Sequence, residues 1–227
     1  MKIIGIIWVV ATLVAGSTAG PPRDEPPTKP PVLLMFHSGA FWLGSTESLR
    51  TAEALAREAG FKPVLAEYPL GHLSRAVKWS RSLADRYGRT GREVYAYGES
   101  AGGTLAALLA QRGEVRAAAT YSPIVNVAAY TKSQDDPDYY AALIDAGYGE
   151  MRDASPTSYV GSTPILGLTP EGDYPVLHRT AKAWDARARN FRSVDVPGGH
   201  PSFETPADVY GANAERAMRW LVRQRDR

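Results

Sequence analysis

Cysteine is absent from this 227-residue chain, which excludes a disulfide framework, thiolate metal sites and a cysteine nucleophile together. Any nucleophile the protein uses is an oxygen. Charge of one sign is also lacking: 26 Lys and Arg face 24 Asp and Glu for a net +2, and the cations are scattered rather than gathered into a stripe, so nucleic acid is not an expected partner. Histidine is scarce at four residues, with no His-x-x-x-His spacing and no cluster with carboxylates, so no metal site is expected. Long apolar runs are missing except for residues 3–14, and that run of about a dozen falls short of the ~20 a membrane-spanning helix needs.

That run has another use. Lys2 precedes it and Ala15-Gly16-Ser17-Thr18-Ala19 follows, the layout of a secretory signal with cleavage after Ala19. An uncleaved N-terminal anchor is the alternative. Residues 20–31 hold Pro21-Pro22, Pro26-Pro27 and Pro30-Pro31, too much proline for a helix or a sheet interior, and read as an extended linker. Residues 32–227, with a chain-wide hydrophobic share of 44%, suffice for one globular domain with a substantial core.

Within that domain short apolar runs alternate with helical patterns. Val32-Leu33-Leu34-Met35-Phe36, residues 61–66, 93–97, 115–121, 164–168 and 191–196 read as strands. Residues 47–59, 76–87, 105–111, 181–189 and 207–222 read as helices. The rhythm implies an α/β fold with a mostly parallel sheet. Residues 126–160 break it. The acidic run Asp135-Asp136-Pro137-Asp138 inside them lacks the glycine and distal glutamate of a calcium loop and reads as a solvated turn. Tyr130, Tyr139, Tyr140 and Tyr148 are candidates to line a pocket or to cover the sheet.

The chemical signal lies at Gly98-Glu99-Ser100-Ala101-Gly102-Gly103, a Gly-x-Ser-x-Gly sequence between a strand pattern and a helix pattern. A serine on so sharp a turn crowds its neighbours, and the positions two before and two after it must lack a Cβ. This stretch resembles the elbow of the α/β-hydrolase superfamily, in particular the esterase and lipase branch with a His-Gly-Gly-Gly-type oxyanion loop. The resemblance implies that Ser100 is the nucleophile.

It extends along the chain. His37-Ser38-Gly39-Ala40 is similar to the oxyanion loop of that branch, which implies that the N–H groups of Gly39 and Ala40, with that of Ala101, form the oxyanion hole. Ser38 departs from the family's glycine, and serine tolerates positive φ poorly. Glu67-Tyr68-Pro69-Leu70 stands where the family carries a scaffold turn, so Tyr68 is expected to pack. Asp173, followed by Tyr174-Pro175-Val176, matches the family's acid-bearing turn, with Glu171 as its competitor. His200, in Pro197-Gly198-Gly199-His200 after the last strand, is the expected general base, and the order Ser, Asp, His is that of the superfamily. His72 and His178 are expected to be surface or capping residues. Two further strands usually precede the one at Val32 in the family, so a trimmed α/β-hydrolase sheet of about six strands is expected, with a small insert over residues 126–160.

These residues imply a secreted serine hydrolase that cleaves small-molecule carboxylic esters through an acyl-enzyme, without a cofactor. Acyl transfer or amide cleavage would use the same side chains. A catalytically silent binding protein is the reading of another class.

Overall fold

The structure, a computed structural model, describes residues 29–148, 153–201 and 205–227; the expected signal and residues 20–28 of the expected linker lie outside them. Six strands form one sheet: β1 (Val32–Phe36), β2 (Lys62–Ala66), β3 (Val94–Glu99), β4 (Ala118–Tyr121), β5 (Ile165–Pro170) and β6 (Phe191–Val196). Their order is β2-β1-β3-β4-β5-β6, and every pairing is parallel. The trimmed six-stranded sheet is thus present. The four interior strands are buried at every residue, because helices cover both faces and leave no polar side to alternate with. The edge strands are only partly buried, and β2 carries Pro63 where a missing N–H is tolerated.

Two helices cover one face. On α1 (Arg50–Glu58) the buried residues are Ala52 and Ala56; on α7 (Ala207–Arg225) they include Ala214, Ala217, Met218 and Leu221, the three-and-four spacing of a one-sided helix. Both pack with Leu33, Met35, Tyr95 and Leu166. The opposite face receives α2 (Leu73–Gly88), α3 (Ala101–Gln111) and α6 (Pro175–Asp185), together with α4 (Val127–Lys132) and α5 (Pro137–Asp145) from the expected insert. Every residue of α3 is buried, and its alanines and glycines allow it to lie close against the centre of the sheet.

Several boundaries differ from those read in the sequence, each for a local reason. Helix α2 starts at Leu73 because the His72 side chain accepts from the Ser74 N–H and caps it. Helix α6 starts at Pro175, whose fixed φ suits the first helical turn, and ends at Asp185. The acidic run in the insert is a helix start: Asp136 Oδ1 accepts from the N–H groups of Asp138 at 2.9 Å and Tyr139 at 3.2 Å, with Pro137 following. The insert tyrosines separate. Tyr148 is fully buried beside Phe41 and Tyr130, Tyr139 meets Trp42 edge-on, and Tyr140 is exposed.

Candidate active site

The strand order reverses between β1 and β3, the connection from one leading on to β2 and that from the other to β4, and such a switch point is where α/β sheets commonly bind ligands, beyond the carboxyl ends of the strands. The sequence-selected residues gather at this end of the sheet. Ser100 joins β3 to α3 with φ 51° and ψ −114°, a conformation costly for any residue with a Cβ. Its neighbours explain how so tight a turn closes. A Cβ on Gly98 would stand 2.1 Å from the Gly102 carbonyl oxygen, and one on Gly102 would stand 2.2 Å from that of Phe36. Strand β3, helix α3 and the end of β1 therefore meet through bare backbone.

The Ser100 Oγ lies 2.9 Å from His200 Nε2, and His200 Nδ1 lies 2.9 Å from Asp173 Oδ1. Asp173 is the acid that reaches the imidazole; Glu171 is exposed on the same loop. The Asp173 side chain is wholly buried, and its Oδ1 also accepts from the Tyr174 N–H at 2.7 Å. The loop bearing His200 is tied down from behind, since Tyr121 Oη donates to Gly199 O at 3.4 Å and Asn213 of α7 donates to Pro197 O at 2.9 Å. The Tyr174 ring sits 5.0 Å from the imidazole.

Beside this group, the loop after β1 takes up the strain anticipated for Ser38 at other positions. Gly39, Ala40 and Phe41 have φ of 122°, 50° and 67°, whereas Ser38 stays out of the left-handed region. A Cβ on Gly39 would lie 1.9 Å from Leu43 O, so only glycine fits there. The unfavourable angle at Phe41 is held by burial of its ring against Tyr68 and Tyr148. His37 braces the loop. Its Nδ1 donates to Ser38 O at 2.6 Å, its ring stacks on Tyr68 at 4.3 Å, and the Tyr68 hydroxyl donates to His37 O at 2.9 Å. Burial holds the His37 imidazolium below the usual histidine range, outweighing the Ser38 carbonyl and Glu67, whose Oε2 is 3.6 Å away. Among the described residues, the N–H groups of Gly39, Ala40 and Ala101 donate to no protein acceptor. Ala101 also opens α3, where backbone dipoles favour negative charge.

Two residues of the site escaped the sequence reading. Ser122, one residue past β4, places its Oγ 2.9 Å from His200 Nδ1 and donates to Asp173 Oδ2. Glu99, immediately before Ser100, is fully buried; its Oε1 accepts from Tyr97 Oη at 2.9 Å and from Tyr210 Oη of α7. Desolvation pushes the Glu99 carboxyl up to about 7 from 4.5, although both tyrosine hydroxyls pull it down. Neither position carries a periodic signal, and no spacing in the sequence ties either residue to its partners. His72 caps α2, and His178 pairs with Asp195 at 3.1 Å near the surface; no group of three metal-ligating side chains occurs among the described residues. A separate cleft of about 750 Å³, lined by Trp184, Phe191 and Trp220, opens at the opposite end of the sheet, away from Ser100.

Sheet order and elbow define an α/β hydrolase. The family model of the alpha/beta hydrolase fold matches residues 33–154, more than half of the sequence, and the chain belongs to that family. It is 34% identical over 110 residues to the para-nitrobenzyl esterase of Bacillus subtilis, an alignment covering 38% of this chain and 22% of the relative; the chain therefore spans about a fifth of that protein's length. Among solved structures, Thermogutta terrifontis esterase 2 phosphonylated by sarin superposes with a TM-score of 0.72 at 21% identity, covering 89% of this chain and 87% of the other. EstE1, a carboxylesterase cloned from a metagenomic library, superposes with a TM-score of 0.67 at 20% identity, covering 86% and 80%. At such identities these structures speak for the fold.

Proposed function

We propose that this protein is a serine hydrolase that cleaves carboxylic esters through an acyl-enzyme. The observation that carries the reading is the continuous line from Ser100 Oγ through both nitrogens of His200 to Asp173, with a distance of 2.9 Å at each step. With Nδ1–H directed at Asp173, Nε2 is left as the acceptor facing the serine hydroxyl. His200 takes the Ser100 proton as Oγ attacks the ester carbonyl carbon, and Asp173 stabilises the imidazolium so formed. The carbonyl oxygen becomes an oxyanion, for which the N–H groups of Gly39, Ala40 and Ala101, with no protein acceptor among the described residues, are the candidate donors. Collapse breaks the bond to the alcohol oxygen, and His200 returns its proton to that oxygen. Water then repeats the sequence on the acyl-serine, losing a proton to His200 and releasing the acid and free Ser100.

The relatives support the substrate class, since those named above are esterases and one of them is phosphonylated by sarin. Trp42 and Tyr139, in edge-on contact near the oxyanion loop, are our candidates for the wall of the acyl pocket. The layout of residues 1–19 supports placing the enzyme outside the cytoplasm, with the proline-rich residues 20–31 as a spacer.

A fluorophosphonate probe tests the nucleophile, because an activated hydroxyl attacks such a phosphorus centre readily. Intact mass should rise by one adduct in wild type and not in Ser100→Ala, and p-nitrophenyl ester hydrolysis should disappear with the same substitution. Equal labelling of the two proteins would overturn the assignment.

A further inference from the structure

We propose that Ser122 is a positioning residue that locks the acid and the imidazole of this site into one arrangement. The inference rests on the hydrolase reading above and adds a residue to it. Ser122 is fully buried, one residue beyond the end of β4, between the strand that delivers Ser100 and the strand that leads to Asp173. Its N–H donates to Leu168 O at 2.9 Å, while the Ser100 N–H donates to Tyr121 O at 2.9 Å. The backbone at this position is thus pinned to both neighbouring strands, and the hydroxyl has a fixed origin.

The hydroxyl then closes a ring of hydrogen bonds. Ser122 Oγ donates to Asp173 Oδ2, which directs an oxygen lone pair toward His200 Nδ1 at 2.9 Å. The Nδ1–H consequently faces two acceptors at equal distance, Asp173 Oδ1 and Ser122 Oγ. A carboxylate held at one oxygen can turn about its bond to Cβ. Held by the imidazole and the Tyr174 N–H at Oδ1, and by Ser122 at Oδ2, it cannot. When His200 becomes an imidazolium its new charge is shared between two acceptors, and such charge-assisted bonds are the strong ones.

The backbone supplies a second and independent observation. Ser122 has a φ of 53°, where glycine would be comfortable and a residue with a Cβ is strained. The local conformation calls for glycine, and the side chain present adds one hydroxyl, which is spent on the acid and the imidazole.

Two substitutions separate the hydroxyl from the strain. Ser122→Gly removes both and Ser122→Ala removes only the hydroxyl. We expect both to lower kcat for a p-nitrophenyl ester by about 10- to 100-fold, the effect of leaving a buried charged acceptor one donor short. KM should change little, and Ser122→Gly should melt above Ser122→Ala, because only the glycine variant relieves the backbone strain. In proton NMR the hydrogen-bonded His200 Nδ1–H resonance should broaden or vanish in both variants. A Ser122→Gly protein with wild-type kcat and an unchanged Nδ1–H resonance overturns the proposal, as does loss of activity that follows the melting temperature from variant to variant. Ser100→Ala, run beside them, identifies failure of the hydrolase reading itself: residual turnover there points to another nucleophile. The imidazole resonance still reports on Ser122 in that case.

Discussion

Glu99 gives the fold a pH dependence that can be worked out in advance. Its carboxyl ionises at about 7 in the folded protein, against 4.5 without the burial. In the unfolded chain the proton is lost near 4.5, while the native state keeps it until about 7, so across this window the native state binds more protons. Stability must then fall as pH rises. Below 4.5 the group is neutral in both states and contributes nothing; above 7 the whole cost is present. About 2.5 pH units at about 1.4 kcal/mol each give about 3 kcal/mol. Glu99→Gln removes the titration while keeping an oxygen for Tyr97 and Tyr210. Its amide nitrogen takes the place of Oε2, which has no partner among the described residues, and adds an offset independent of pH. The assay is urea unfolding of both proteins from pH 4 to 8.5. Subtracting the variant from wild type cancels every other titrating group, and the difference should shift against wild type by about 3 kcal/mol between pH 4.5 and 7. A difference that stays flat over this range refutes the account of a buried, neutralised Glu99.

Exchanging each acid on the β5 loop should separate their roles. Asp173→Asn is expected to lower kcat by up to about 10⁴-fold by favouring the wrong imidazole tautomer, whereas Glu171→Gln should cost little because its carboxylate is exposed and screened. Kinetics with parallel melts decide, and greater damage from the Glu171 variant would move the acid two residues upstream. At the elbow, Gly98→Ala sets a methyl 2.1 Å from a backbone oxygen and should cost about 3 kcal/mol or more, seen as a lower melting temperature or loss of soluble protein. Gly88→Ala, at the end of α2 with no atom within 4 Å of the new methyl, should instead be neutral or stabilising by up to about 1 kcal/mol.

Much of this arrangement was legible in the sequence because burial on both faces leaves its mark in uninterrupted runs such as Val32 to Phe36. The Ser100 elbow was legible for a related reason, since backbone that must touch backbone has to be glycine at positions 98 and 102. Helix starts were less so. Pro175 reads as a loop residue until the chain beyond it is seen to turn, and His72 caps through a side chain seldom found in that role. Ser122 and Glu99 were not legible. What they do depends on Asp173, His200 and Tyr210, which lie 51, 78 and 111 residues away from them along the chain, and no local pattern encodes a partner so distant.

The strand order also has a consequence for how the chain acquires activity. Ser100, Ser122, Asp173 and His200 follow the ends of β3, β4, β5 and β6 in turn, so the site samples the relative alignment of four consecutive strands. A slip of two residues between any neighbours preserves which face is buried, yet displaces a strand tip by about 6.6 Å. That exceeds twice the 2.9 Å separating Ser100 from His200. Closing the contact also requires ordering a loop of 100 residues, which local helices do not. During refolding, hydrolysis should return after helical circular dichroism has recovered, and it would report the fraction of molecules in correct register, which circular dichroism does not distinguish.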